Sequence, residues 1–127
     1  MLSTTSGSLS VDLKELVSAL LAYDALTARA WVARTVARQI DWSTFPFPSG
    51  MAEIELALAA SVLELLAARA GIAPPSWARN VPASPKKIFL VKAADRMRRL
   101  RMTCELEGPE ELRRRQFFAP PDFLTVA

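Results

Sequence analysis

MAEIELALAASVLELLAARAG, residues 51–71, is the stretch on which the fold turns. Ile54, Leu58, Val62 and Leu65 recur on one side of a helix, while Leu56, Ala60, Leu63 and Ala67 lie almost opposite. A helix that is apolar nearly all round is normally surrounded by other elements. The spacing therefore predicts a central helix over 51–70. Gly71 ends it, because glycine enters the left-handed conformation of a helix cap without a side-chain penalty. The alanines permit close approach of neighbouring helices. Glu55, Glu64 and Arg69 interrupt the apolar run 54–70, which falls short of a comfortable membrane span.

Upstream, Val11, Leu13, Leu16, Val17, Leu20 and Leu21 follow helical spacing. With Ser10 as N-cap and Asp12 in the first turn, they predict a helix over 11–22. Residues 1–8 (MLSTTSGS) are rich in Ser, Thr and Gly and are expected to be a flexible N-terminus, leaving 9–127 as the domain. Asp24 can cap a second helix over 25–40 that carries Trp31, Val32, Val36 and Ile40. Tyr23 gives no strong break, so one kinked helix is the alternative. Asp41–Gly50 (DWSTFPFPSG) reads as a loop, and its Trp42, Phe45 and Phe47 should fold back over the core.

Downstream, Pro74, Pro75, Pro82 and Pro85 surround Trp77, and a short helical turn is expected from Pro75. Ile88–Val91 is ambiguous between a strand and a helix start. Phe89, Ala93, Met97, Leu100 and Cys104 share a helical face, which predicts a helix over 89–106. Gly108 and Pro109 break it. A short last helix should follow, with Glu110 and Glu111 in its first turn and Arg113, Arg114 and Arg115 in its last, an order that complements the helix dipole. Phe117–Ala127 (FFAPPDFLTVA) reads as an extended apolar tail. The expected architecture is all-α: one compact domain of about five helices around the central one.

Composition narrows the chemistry. The 127 residues include no histidine and one cysteine, Cys104. Histidine is the usual general base near neutral pH and the commonest metal ligand. Without it neither a Ser–His nor a Cys–His pair can form. One cysteine makes no internal disulfide or thiolate-rich zinc site and suits a reducing, cytoplasmic setting. There is no secretory leader pattern. The four glycines all sit at predicted element boundaries, so none builds a phosphate-binding loop. Cys104, on the apolar stripe, is expected to be a buried, inert thiol. No catalytic residue, metal ligand or cofactor is expected, and the chain reads as a non-enzymatic binding module.

Charge is unevenly spread. Residues 1–76 carry five basic and seven acidic side chains, and residues 77–127 carry eleven and six. An acidic partner or nucleic acid would therefore meet the C-terminal half. Arg96, Arg98, Arg99 and Arg101 are scattered around their helix, with Asp95 and Glu105 placed to pair with Arg99 and Arg101 at i, i+4. They are either a phosphate-contacting surface or a solvated helix. Arg113–Arg115 diverge by about 100° per residue, so they cannot form one flat patch. One could lie against Glu110 or Glu111, and another on Phe117. The tail aromatics Phe117, Phe118 and Phe123, with Leu124, either close the chain's own core or fill a groove on a partner. Val91 and Met102 lie beside Arg98, opposite Met97 and Leu100. That face is either covered by another helix or exposed as an interface.

Three blocks carry a family resemblance: APPSW at 73–77, FLVKAA at 89–94, and EGPEELRRR at 107–115 leading to FAPPDFL at 118–124. Together they resemble a family of small, uncharacterised bacterial proteins that end in GPExLRRRxxFAPPDFL. Genes of that family often lie beside one for a small nucleotidyltransferase-like protein, and related endings follow helix-turn-helix domains in bacterial regulators. The likeness spans mainly residues 54–127. It implies an antitoxin-like protein that binds and restrains a nucleotidyltransferase-type toxin. With no helix-turn-helix domain ahead of the ending, direct operator binding is not expected. The expected contact residues are Arg98, Arg99, Arg113, Arg114 and Arg115, with Phe117, Phe118, Phe123 and Leu124 as apolar anchors. Two other readings stay open: a small RNA- or DNA-binding protein using the basic half, and a homo-oligomer that exchanges its tail.

Overall fold

A computed structural model describes residues 4–125 of the chain, with side chains from Asp12 onward. The architecture is all-α. Helices α1 (Thr4–Leu21), α2 (Ala25–Ala37) and α3 (Glu53–Ala70) precede two shorter ones, α4 (Arg98–Glu107) and α5 (Glu110–Arg113). Two-residue segments β1 (Ile88–Phe89) and β2 (Phe117–Phe118) pair in parallel, Ile88 against Phe117 and Phe89 against Phe118.

The central helix is where its apolar pattern requires it to be. Every residue from Ala57 to Ala67 is buried, including Ser61 and Glu64. Helices α1 and α5 and the short 3-10 turns at Trp42–Thr44 and Ala78–Asn80 pack around it. At its start the Glu55 carboxylate accepts the Ala52 N–H at 2.8 Å. At its end Gly71 adopts φ +70°, Ile72 donates to the Ala67 carbonyl and Gly71 to that of Ala68. These bonds satisfy carbonyls the helix leaves free.

α1 and α2 are separate helices. Tyr23 turns the chain between them at φ +61°, and Asp24 caps α2 by accepting from the Thr27 N–H, which holds its carboxyl below the usual carboxylate range. α1 starts at Thr4, so Ser10 lies inside the helix instead of capping it, and the flexible start expected over 1–8 is helical from Thr4. Each residue added to an existing turn gains a hydrogen bond, which outweighs the modest helix aversion of serine and threonine. Residues 1–3 lie outside the described residues. α2 closes at Ala37, ahead of the expected residue 40, because Gln39 turns left-handed at φ +53° and frees Ile40 to pack on the core.

In the 41–50 loop, Trp42 and Phe45 are buried and stack at 6.2 Å. Phe47, expected to fold back as well, stays 58% exposed, with its ring edge-on to that of Trp77 at 5.3 Å.

The helix expected over 89–106 is not continuous. Its first part is β1, followed by a 3-10 turn at Lys92–Asp95, and α4 begins only at Arg98. The tail decides this. Ile88 donates to the Gln116 carbonyl and Leu90 to that of Phe118, both at 2.9 Å, so these amides are committed to another segment. The expected single face breaks up accordingly: Met97 is exposed, Leu100 half-buried and Cys104 fully buried.

Two glycines make opposite demands. A Cβ on Gly71 would meet open space, so Gly71→Ala should cost only the left-handed backbone strain, roughly 1–2 kcal/mol. A Cβ on Gly108 would collide with the backbone carbonyls of Ala119 and Cys104, where α4 meets the tail. Gly108→Ala should therefore lower the urea midpoint further than Gly71→Ala, and equal midpoints would contradict this packing.

Candidate functional site

The three consecutive arginines do three different things. Arg115 points inward and is 6% exposed. Its Nη1 donates to Glu64 Oε1 at 2.5 Å, its Nη2 to the Ala78 carbonyl at 2.5 Å and its Nε to the Val81 carbonyl at 3.0 Å. Arg114 stands at the surface and reaches the same Glu64 oxygen at 3.5 Å. Arg113 donates to the Gly108 carbonyl at 2.7 Å, which steadies the break between α4 and α5. Among the described residues none of the three pairs with Glu110 or Glu111. The acid that Arg114 and Arg115 answer is Glu64 on α3, a carboxylate carried inside by an apolar helix and therefore in need of a cation.

Arg115 is thus a core strut, which corrects its expected place on a partner surface. The same correction applies to the apolar anchors. Phe117 is fully buried, Phe118 and Leu124 are buried, and Phe123 packs on the core cluster. The Phe118 ring lies 5.3 Å from that of Phe89, with the Lys87 ammonium 5.6 Å from its centroid. Burying this much apolar surface in the chain itself leaves little to offer a partner.

Within the contact region expected from the sequence, one side of α4 stays outside. Arg98, Met102 and Leu106 follow one another at i, i+4 spacing, with Arg99 on the adjoining row. Met102 is 48% exposed and Leu106 68%, so among the described residues none covers them. That settles the alternative left open for Met102. Glu105, expected to pair with Arg101, instead binds Lys87 at 2.8 Å. Arg101 turns back to donate to the Ala94 and Asp95 carbonyls at 3.1 and 2.9 Å. Arg98 and Arg99 make no ion pair among the described residues and stay exposed. Leu106 was missed as a surface residue, although its position four residues after Met102 carries the signal. Met97, 54% exposed just before α4, was missed because its face was assigned to a continuous helix.

Cys104 lies on the opposite side, and burial together with the Glu105 charge pushes its thiol pKa up. A raised pKa disfavours the reactive thiolate. Among the described residues no three acidic or cysteine side chains gather as a metal site, and no helix is long and apolar enough to cross a membrane.

Two clefts flank the tail. One, of about 270 Å³, lies between the α1–α2 turn, residues 90–93 and residues 120–124. The other, of about 530 Å³, lies between α2, the end of α3 and Leu124–Thr125.

The Glu64–Arg115 pair can be tested by stability. Glu64→Leu should destabilise the fold by about 3–5 kcal/mol, because it strands a buried guanidinium. In a double-mutant cycle of chemical denaturation, Glu64→Leu combined with Arg115→Met should lose clearly less than the sum of the two single losses, although the Ala78 and Val81 carbonyls lose their donor. Additive losses would show that the pair is not coupled.

No family model matches the chain, and the searches of curated proteins and of solved structures returned no match.

Proposed function

We propose that the chain is a protein-binding module, antitoxin-like, that docks on a nucleotidyltransferase-type toxin through the exposed side of α4. The observation that carries this reading is the pair Met102 and Leu106, exposed beside the guanidinium groups of Arg98 and Arg99, which form no ion pair among the described residues. Methionine and arginine are enriched where protein surfaces meet, and a contiguous apolar patch rimmed by charge is the usual form of such a surface. The family resemblance of the C-terminal half supplies the partner class. Arg98 and Arg99 would meet acidic residues at the toxin's cleft, with Arg113 and Arg114 further along the rim. Arg115 and the buried tail residues act indirectly, by holding the scaffold that presents α4.

A second reading, nucleic-acid binding, draws on Lys92, Arg96, Arg98 and Arg99, all exposed along one stretch of chain. It predicts an affinity that falls steeply with salt, by about one logarithmic unit per phosphate contact for each decade of salt. Absent or salt-insensitive binding to RNA and DNA removes it.

The docking reading is tested by co-purifying the chain with a small nucleotidyltransferase-like protein of the class that the resemblance implies, taken from the same genome. Met102→Glu or Leu106→Glu should weaken the complex by about 2 kcal/mol or more, chiefly through faster dissociation. Arg98→Glu and Arg99→Glu should slow association and make it less salt-dependent. All four positions are exposed, so circular dichroism should be unchanged. No complex at micromolar concentration with both proteins folded would refute the reading.

A further inference from the structure

The larger cleft combines volume, apolar lining and one fixed charge. Val32, Val36, Ile40, Trp42, Leu66 and Ile72 supply most of its wall, and it encloses about 530 Å³. Small-molecule sites typically span about 300–1,000 Å³, mostly apolar, with a few polar groups that set orientation. Val36 is 45% exposed and Ile72 38%, so part of this wall is apolar surface left in water.

Arg69, on the last turn of α3, lines the same cleft. Its Nη1 donates to the Phe123 carbonyl at 2.6 Å and its Nη2 to that of Pro121 at 3.4 Å. These bonds hold the guanidinium in place without neutralising it, and its other N–H groups remain for a ligand. Glu111 and Asp122 favour its charge from a distance, but among the described residues Arg69 forms no ion pair within 4.0 Å. Partial burial outweighs them and lowers its pKa, while the side chain still meets solvent, so an anion can reach it and would favour its charge. Gln39 and Thr125 add polar groups to the same lining.

We infer that this cleft binds a medium-chain apolar carboxylate, its hydrocarbon along Val36, Ile40 and Ile72 and its head group on Arg69. A guanidinium takes a carboxylate in a charge-assisted, directional contact. An apolar cation would be repelled there, and a neutral chain would gain the wall alone. The site shares no residue with the exposed side of α4, so it stands independently of the docking proposal.

The test titrates decanoate into the full chain by calorimetry, below its micelle-forming concentration, beside decanol and decyltrimethylammonium. Decanoate should bind at least tenfold more tightly than decanol, about 1.4 kcal/mol or more, and the cation should not bind. Ile72→Glu, which breaks no hydrogen bond, should weaken decanoate at least tenfold while the helical circular dichroism is kept. Arg69→Gln should bring decanoate down to the affinity of decanol, and Arg69→Lys should keep most of the difference. Should Arg69→Gln loosen the tail, Ile72→Glu decides. Equal affinities for decanoate and decanol, no binding at millimolar decanoate, or an unaffected Ile72→Glu would overturn the inference.

Discussion

Glu64 is a carboxylate on a helix that is buried from Ala57 to Ala67, and its need for a cation organises the C-terminal half of the molecule. An unpaired charge in that position would cost several kcal/mol in lost hydration. Arg115, 51 residues further along the chain, supplies the cation. Its other N–H groups gather the carbonyls of Ala78 and Val81. One side chain therefore holds α3, the proline-rich segment and the end of α5 together. Gln116 then turns the chain at φ +70° into β2, beside β1. The aromatic tail is delivered to the core by this sequence of constraints.

The same chemistry explains why an arginine-rich half does not form a uniform basic surface. A guanidinium offers several donors in a rigid fork, and buried backbone carbonyls are as good a target for it as a carboxylate. Arg101 and Arg113 are spent on the carbonyls at the ends of short helical segments. Lys87 is drawn to Glu105. The residues that keep their charge in water lie mainly between Lys92 and Arg99, next to the uncovered Met102 and Leu106.

The tail also shapes the two clefts on either side of it. Leu124 lines both, and the carbonyls of Pro121 and Phe123 fix Arg69 at the larger one. A segment that could have been an exposed recognition peptide acts instead as a wall. The backbone amides of Ile88 and Leu90 would otherwise have to find other partners.

Periodicity and capping chemistry made much of the architecture legible. The all-round apolar pattern of residues 54–67 pointed to a surrounded helix, Gly71 to its end, and Asp24 to a cap for α2, with one kinked helix left as the alternative there. These are local properties, set by side-chain spacing and backbone sterics. The tertiary structure decided whatever depends on residues far apart in the chain. Ile88–Leu90 became an extended segment because distant carbonyls arrived beside it, against a helical spacing that starts at Phe89. Arg115 went inside and Arg98 stayed outside although both belong to arginine clusters, because only one of them reached a buried carboxylate. Spacing can assign a residue to a face, but only packing determines whether that face is covered.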